Sequence, residues 1–113
     1  MYQKFQLDLN KIEDQRLYQE KVKKYVHSES FRCDYPFKSK QFCYVGDEAR
    51  YFVSGNVIFK VDNDEIECSS GTLLVIDKCV NHSFEYIGGE KLRVDRFYTN
   101  YDESEKNFQE DNI

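Results

Sequence analysis

The sequence contains no run approaching the roughly 18 apolar residues of a membrane-spanning helix. Its opening, Met1-Tyr2-Gln3-Lys4-Phe5-Gln6, lacks the apolar stretch of an export signal. A soluble, cytoplasmic protein with no membrane partner is therefore expected. The four cysteines, Cys33, Cys43, Cys68 and Cys79, are irregularly spaced, with neither a C-x-x-C pair nor a zinc-ribbon pattern. In a chain without an export signal they read as reduced, small apolar residues. There is also no concentrated basic face. Residues 1–50 carry ten Lys/Arg against eight Asp/Glu (+2), and residues 51–113 carry six against thirteen (−7), which sum to the net −5. Nucleic acid is excluded as a partner on that ground. The one basic cluster, Lys21, Lys23 and Lys24, falls on the solvated face of a helix.

What is present is enough for one packed core. The 113 residues are 40% apolar and 33% charged, with nine Phe and nine Tyr, which rules out disorder for most of the chain. That length predicts a single domain spanning 1–113. Asn10 followed by Glu13 has the pattern of a capping box, and Tyr18, Val22 and Tyr25 recur on one face, so a helix is expected over about 11–25. After it the period changes to two. Phe31, Cys33 and Tyr35 alternate with polar residues up to Pro36, Phe42 and Tyr44 alternate next, and Tyr51 to Val53 follows a turn at Gly46-Asp47-Glu48. Val57, Phe59 and Val61 alternate before a turn at Asp62-Asn63-Asp64, from which Ile66 to Cys68 returns antiparallel. Leu73 to Ile76 is apolar on both faces and reads as central. His82 to Tyr86, a hairpin turn at Gly88-Gly89 and a strand over about 91–99 complete a barrel over 30–99, leaving an acidic tail over 100–113. About eight short strands after one helix predict an all-β antiparallel sandwich or barrel.

Two segments resemble the paired motifs of the cupin superfamily. The first motif runs Gly, five residues, His-x-His, three or four residues, Glu, six residues, Gly, and its end matches Glu48 and Gly55. The second runs Gly, five residues, Pro-x-Gly, two residues, His, three residues, Asn; Gly71, Asp77, Cys79, His82 and Tyr86 stand at those positions. Within the superfamily, Asp47-Glu48-Ala49-Arg50-Tyr51-Phe52 and Arg96-Phe97-Tyr98 are most similar to acireductone dioxygenase. The resemblance covers about residues 40–99 and implies a double-stranded β-helix, the antiparallel cupin barrel, with the helix outside it.

The resemblance also implies a metal, Fe or Ni, held by the two first-motif histidines, the Glu and the second-motif histidine. Here Phe42 and Tyr44 fall where the His-x-His pair belongs, and only Glu48 and His82 keep ligand chemistry. With two histidines in the whole chain, His27 and His82, a three-His-plus-Glu sphere cannot be built from one copy. A two-His-one-carboxylate site would have to recruit His27. With the longer spacer, Cys43 joins Glu48 and His82 in a set suited to Zn. No cofactor is expected, and a divalent metal (Fe, Ni or Zn) is the alternative.

Phe42 and Tyr44 share one strand face, so both rings are expected inside the barrel. Either they fill it, or Tyr44, His82 and Glu48 form the polar floor of a smaller pocket in which His82 is the acid or base. The expected function is a metal-free ligand-binding, regulatory or assembly domain, with a small molecule as its ligand. The alternative is an enzyme: a dioxygenase with a rebuilt ligand set, or a metal-free isomerase or epimerase acting on a small sugar or keto acid. The strand around Phe31 to Tyr35 is the expected contributor to a homodimer.

Overall fold

The structure is a computed structural model and describes residues 1–99. The acidic tail expected over 100–113 lies outside the described residues. Seven strands and one helix follow one another: β1 (Tyr2–Gln6), α1 (Ile12–Val22), β2 (His27–Cys33), β3 (Phe37–Lys38), β4 (Glu48–Val61), β5 (Asp64–Cys68), β6 (Thr72–Ile76) and β7 (His82–Tyr98). Every pairing is antiparallel.

The long strands β4 and β7 run beside each other for their whole length and bend together, so that one ribbon contributes to two facing sheets. The first half of β4 and the second half of β7 lie in a sheet ordered β1-β6-β4-β7-β2. Their other halves pair with β5 and β3. The fold over occurs where the register shifts between Phe52 and Val57. Gly55 sits in that irregularity with φ +95°, and a Cβ there would meet the Leu92 backbone at 3.0 Å. A larger residue would have to push apart the two strands that close the corner.

This folding over corrects two expectations. Tyr51–Val53 and Val57–Val61 are parts of one strand, and Gly88-Gly89 is not a hairpin turn. Both glycines have positive φ (+100° and +86°), but they lie inside β7 and bend it. Local residue types report that the chain changes direction. Whether the partner strand bends with it, which separates a bend from a reversal, depends on pairing tens of residues away.

The N-terminal half differs in detail. β1 was not foreseen, although it pairs with β6 along its whole length. The helix starts at Ile12 with Lys11 as its N-cap, and no side chain caps it. The expected Asn10 cap is replaced by a tighter turn in which the Asp8 carboxylate accepts the Asn10 N–H and the Asp14 carboxylate accepts the Asp8 N–H. The helix ends at Val22, where a turn carries the chain to Tyr25. Tyr18, Val22 and Tyr25 nevertheless form the face that packs on the sheet, against Leu73, Val75, Ala49, Tyr51 and Phe97. Tyr18 meets Tyr51 edge to face with centroids 5.1 Å apart.

The sheet that carries the helix is thus covered on both faces. In β4, Ala49 and Tyr51 lie under the helix while Glu48, Arg50 and Phe52 point into the barrel. The barrel core proper is built from Phe52, Val57, Phe59, Val61, Ile66, Leu74, Ile76, Phe84, Tyr86, Leu92 and Val94 among others. No helix among the described residues is long and apolar enough to cross a membrane.

Candidate functional site

The barrel's two facing sheets bring Glu48, at the start of β4, against His82, at the start of β7. His82 Nε2 lies 2.6 Å from Glu48 Oε1. The other ring nitrogen, Nδ1, is 2.8 Å from the Val80 carbonyl oxygen, which can only accept, so Nδ1 carries a hydrogen. One proton must also lie between Nε2 and Oε1, because two facing lone pairs would repel at that distance. Arg50 stands 3.8 Å from the same carboxylate oxygen, and its guanidinium rests over the rings of Phe59 and Phe84 at 5.4 and 5.6 Å. Glu48 and His82 are each 1% exposed and Arg50 3%.

Burial alone drives the Glu48 carboxyl upward, but the Arg50 guanidinium, the His82 contact and the more distant Arg96 outweigh it. The carboxyl is held below its ordinary value of 4.5. A second ionic contact lies beside the first. Across the β4-β7-β2 sheet, Arg50, Arg96 and Glu29 are successive partners, so two buried arginines sit side by side with a glutamate serving each. Arg96 is 2.6 Å from Glu29 and 4.8 Å from the Phe31 ring centre.

The residues singled out from the sequence are distributed as follows. Glu48 and His82 meet. Phe42 and Tyr44 are both buried, as two residues on one strand face should be, although the strand shrinks to a single bridge between Phe42 and His82. The Phe42 ring stands 4.5 Å from the His82 ring, whereas Tyr44 packs on Tyr98 at 5.1 Å. Cys43 is partly exposed between the two inward-facing aromatics. His27 faces Glu29 at 3.7 Å and the Tyr98 ring, on the strand beyond the one that neighbours Glu48. Among the described residues, no three of His, Cys, Asp and Glu come together as a metal-holding group. Arg50, Arg96 and Glu29 were missed. The signal was available for Arg50, which follows Glu48 by two residues and must share its face once β4 is taken to start at Glu48.

No protein-family model matches the sequence, and no curated protein is similar to it. Solved structures do match. A cupin superfamily protein from Desulfitobacterium hafniense is similar over 87% of this chain and 76% of its own, with 12% identity and a TM-score of 0.59. An RmlC-like cupin from Shewanella frigidimarina is similar over 71% of each chain, with 15% identity and a TM-score of 0.61. The fold is that of the cupins. KdgF from a Halomonas species is similar over 68% of this chain and 71% of its own, at 17% identity with a TM-score of 0.59.

Three of the four glycine positions of the two motifs have a backbone that favours glycine. Gly55, Gly71 and Cys79 all have positive φ, at +95°, +91° and +61°, whereas the first glycine of the first motif falls at Pro36. Cys79 pays a conformational cost there of about 1–2 kcal/mol, while glycine would add about 0.5–1 kcal/mol of freedom to the unfolded chain. Cys79→Gly is therefore expected to raise stability by up to about 1.5 kcal/mol in a chemical melt. A loss of more than about 1 kcal/mol would show that the cysteine side chain makes a contact worth more than the strain.

The metal that a cupin barrel implies does not fit these residues. The two remaining ligand-type side chains turn their donor atoms toward each other, the aromatic ring of Phe42 occupies the space next to His82, and a guanidinium stands 3.8 Å from the Glu48 carboxylate. A divalent cation placed there would face a fixed positive charge in a medium that screens it weakly.

Proposed function

We propose that this chain is a cupin-fold domain that works without a metal, through binding rather than turnover, as a ligand-binding, regulatory or assembly module. The observation that carries this reading is the contact between His82 and Glu48, sealed from solvent, with Arg50 beside the same carboxylate. With His82 Nε2 engaged by Glu48 and Nδ1 by a carbonyl, neither ring nitrogen faces a substrate. That supports a structural part for His82 over the acid-base part that a pocket would give it. It also favours the packed arrangement of Phe42 and Tyr44 over a pocket floored by Tyr44, His82 and Glu48.

The segments that resemble acireductone dioxygenase contribute Glu48, Arg50 and Arg96 to the buried cluster. Resemblance and geometry therefore point to the same residues, and they support a barrel of that kind in which an internal ion pair replaces the lost His-x-His ligands. For the assembly role, β2 is the edge strand of its sheet among the described residues, which favours the Phe31–Tyr35 region as the place where a second copy would pair.

Elemental analysis of protein purified without chelators tests the reading. Fe, Ni and Zn are expected at background in the wild type and in His82→Ala alike, since no coordination shell is broken. Stoichiometric metal in the wild type that falls in His82→Ala would contradict it.

A further inference from the structure

The outer face of the barrel carries a second pair of facing arginines. Arg32 on β2 and Arg93 on β7 are direct cross-strand partners, and both are exposed. Side chains so placed have Cβ atoms about 4.5–5.5 Å apart, and like charges there destabilise a sheet. The buried pair, Arg50 and Arg96, has the same relation but has Glu48 and Glu29 against it. The exposed pair has no such partner: neither Arg32 nor Arg93 forms an ion pair with a carboxylate of the described residues, and neither does the neighbouring Lys91.

These three cations line an open groove of about 550 Å³ together with Cys33, Asp34, Tyr35 and Leu92. Three positive charges against the one of Asp34 leave the groove at +2, on a chain whose net charge is −5. Along β7 the nearest further carboxylates are Glu90, exposed beside Lys91, and Asp95, which accepts a hydrogen bond from Ser30 at 3.0 Å. Buried Cys33 and Leu92 alternate with the cations along the strands and belong to the barrel core, and Tyr35 stands at the groove 67% exposed. The volume lies in the range of small-molecule sites, about 300–1,000 Å³.

We propose that this groove, formed by Arg32, Lys91 and Arg93 with Tyr35 at its rim, binds a small organic ligand through a phosphate group. Two guanidinium forks side by side match the oxygens of a phosphate, and the phosphate sets negative charge against two arginines that pair with no carboxylate among the described residues. The exposed Tyr35 ring offers a surface for an aromatic or sugar-like body attached to that phosphate. The site is separate from the barrel interior, so its occupancy does not depend on whether a metal is present there.

Calorimetric titration with phenyl phosphate, and separately with inorganic phosphate, at constant ionic strength tests the assignment. Saturable binding is expected, with affinity falling about tenfold or more in Arg32→Gln and in Arg93→Gln, as the loss of a charge-assisted hydrogen bond implies. Lys60→Gln, an exposed lysine that pairs with Glu65 elsewhere on the barrel, should bind as the wild type does. Without ligand, each arginine variant should melt no lower than the wild type, because it relieves a repulsion. Equal affinity for both probes would place recognition on the phosphate alone, as for a free phosphate ligand. Tighter phenyl phosphate binding that Tyr35→Ala reduces would place the organic body on Tyr35, and both results support the site. Absence of saturable binding at millimolar probe, unchanged affinity in both arginine variants, or binding of an acidic peptide but of neither phosphate probe would overturn it.

Discussion

Glu48→Ala is expected to destabilise the protein by about 3–5 kcal/mol, the cost of breaking a buried ion pair by removing one member. The carboxylate faces both His82 at 2.6 Å and Arg50 at 3.8 Å. Its loss leaves the Arg50 charge buried against aromatic rings, with Arg96 as its neighbour across the strands. Because an alanine variant this unstable risks not folding, Glu48→Gln provides the measurable companion. It keeps the shape, removes the charge, and should cost less, about 1–3 kcal/mol.

The pH dependence has a definite sign. The folded Glu48 carboxyl lies below its ordinary 4.5, so the stability it contributes is fully present above pH 4.5 and is lost as the pH falls through the folded value. Denaturant melts between neutral pH and pH 3 should therefore show a steeper acid-side loss for the wild type than for Glu48→Gln. Parallel curves would mean that the carboxyl titrates alike in the folded and unfolded chains.

Phe59→Ala should cost about 3–5 kcal/mol as well, for a different reason. The residue is 1% exposed, and its ring stacks on Phe84 at 5.2 Å, approaches Phe52 at 6.1 Å and supports the Arg50 guanidinium at 5.4 Å. Truncation opens a cavity at the point where the two sheets meet and removes the surface on which the buried cation rests. Phe59→Leu, which keeps most of the volume, is expected to cost less than about 1.5 kcal/mol. A chemical melt of Phe59→Ala within about 0.5 kcal/mol of wild type would show that this side chain does not hold the core.

The expectation for Phe59 came directly from the sequence, since Val57, Phe59 and Val61 alternate and all three are buried. The helix face was legible for the same reason: Tyr18, Val22 and Tyr25 repeat at helical spacing, and they are the residues on the sheet. The Glu48 and His82 pairing was legible only through the motif spacing, because the two residues are 34 positions apart and meet by the bending of β4 and β7. Arg50 was named within the resembling segment but not placed in the site, because its burial depends on the helix covering the opposite face of β4. β1 escaped because Tyr2 and Phe5 have no strict alternation, and the strand forms only by pairing with β6. The cap at Asn10 failed because Asp8 offers the same turn a nearer acceptor.

The central claim is that the barrel is held at its middle by His82 and Glu48 acting on each other. A double-mutant cycle measures that directly, using His82→Ala, Glu48→Gln and the combined variant in denaturant melts at neutral pH. The account predicts that the two losses are not additive, with a coupling of about 1–3 kcal/mol. Losses that add to within about 0.5 kcal/mol would show that the two side chains contribute independently, and the internal ion pair would not be what holds the barrel.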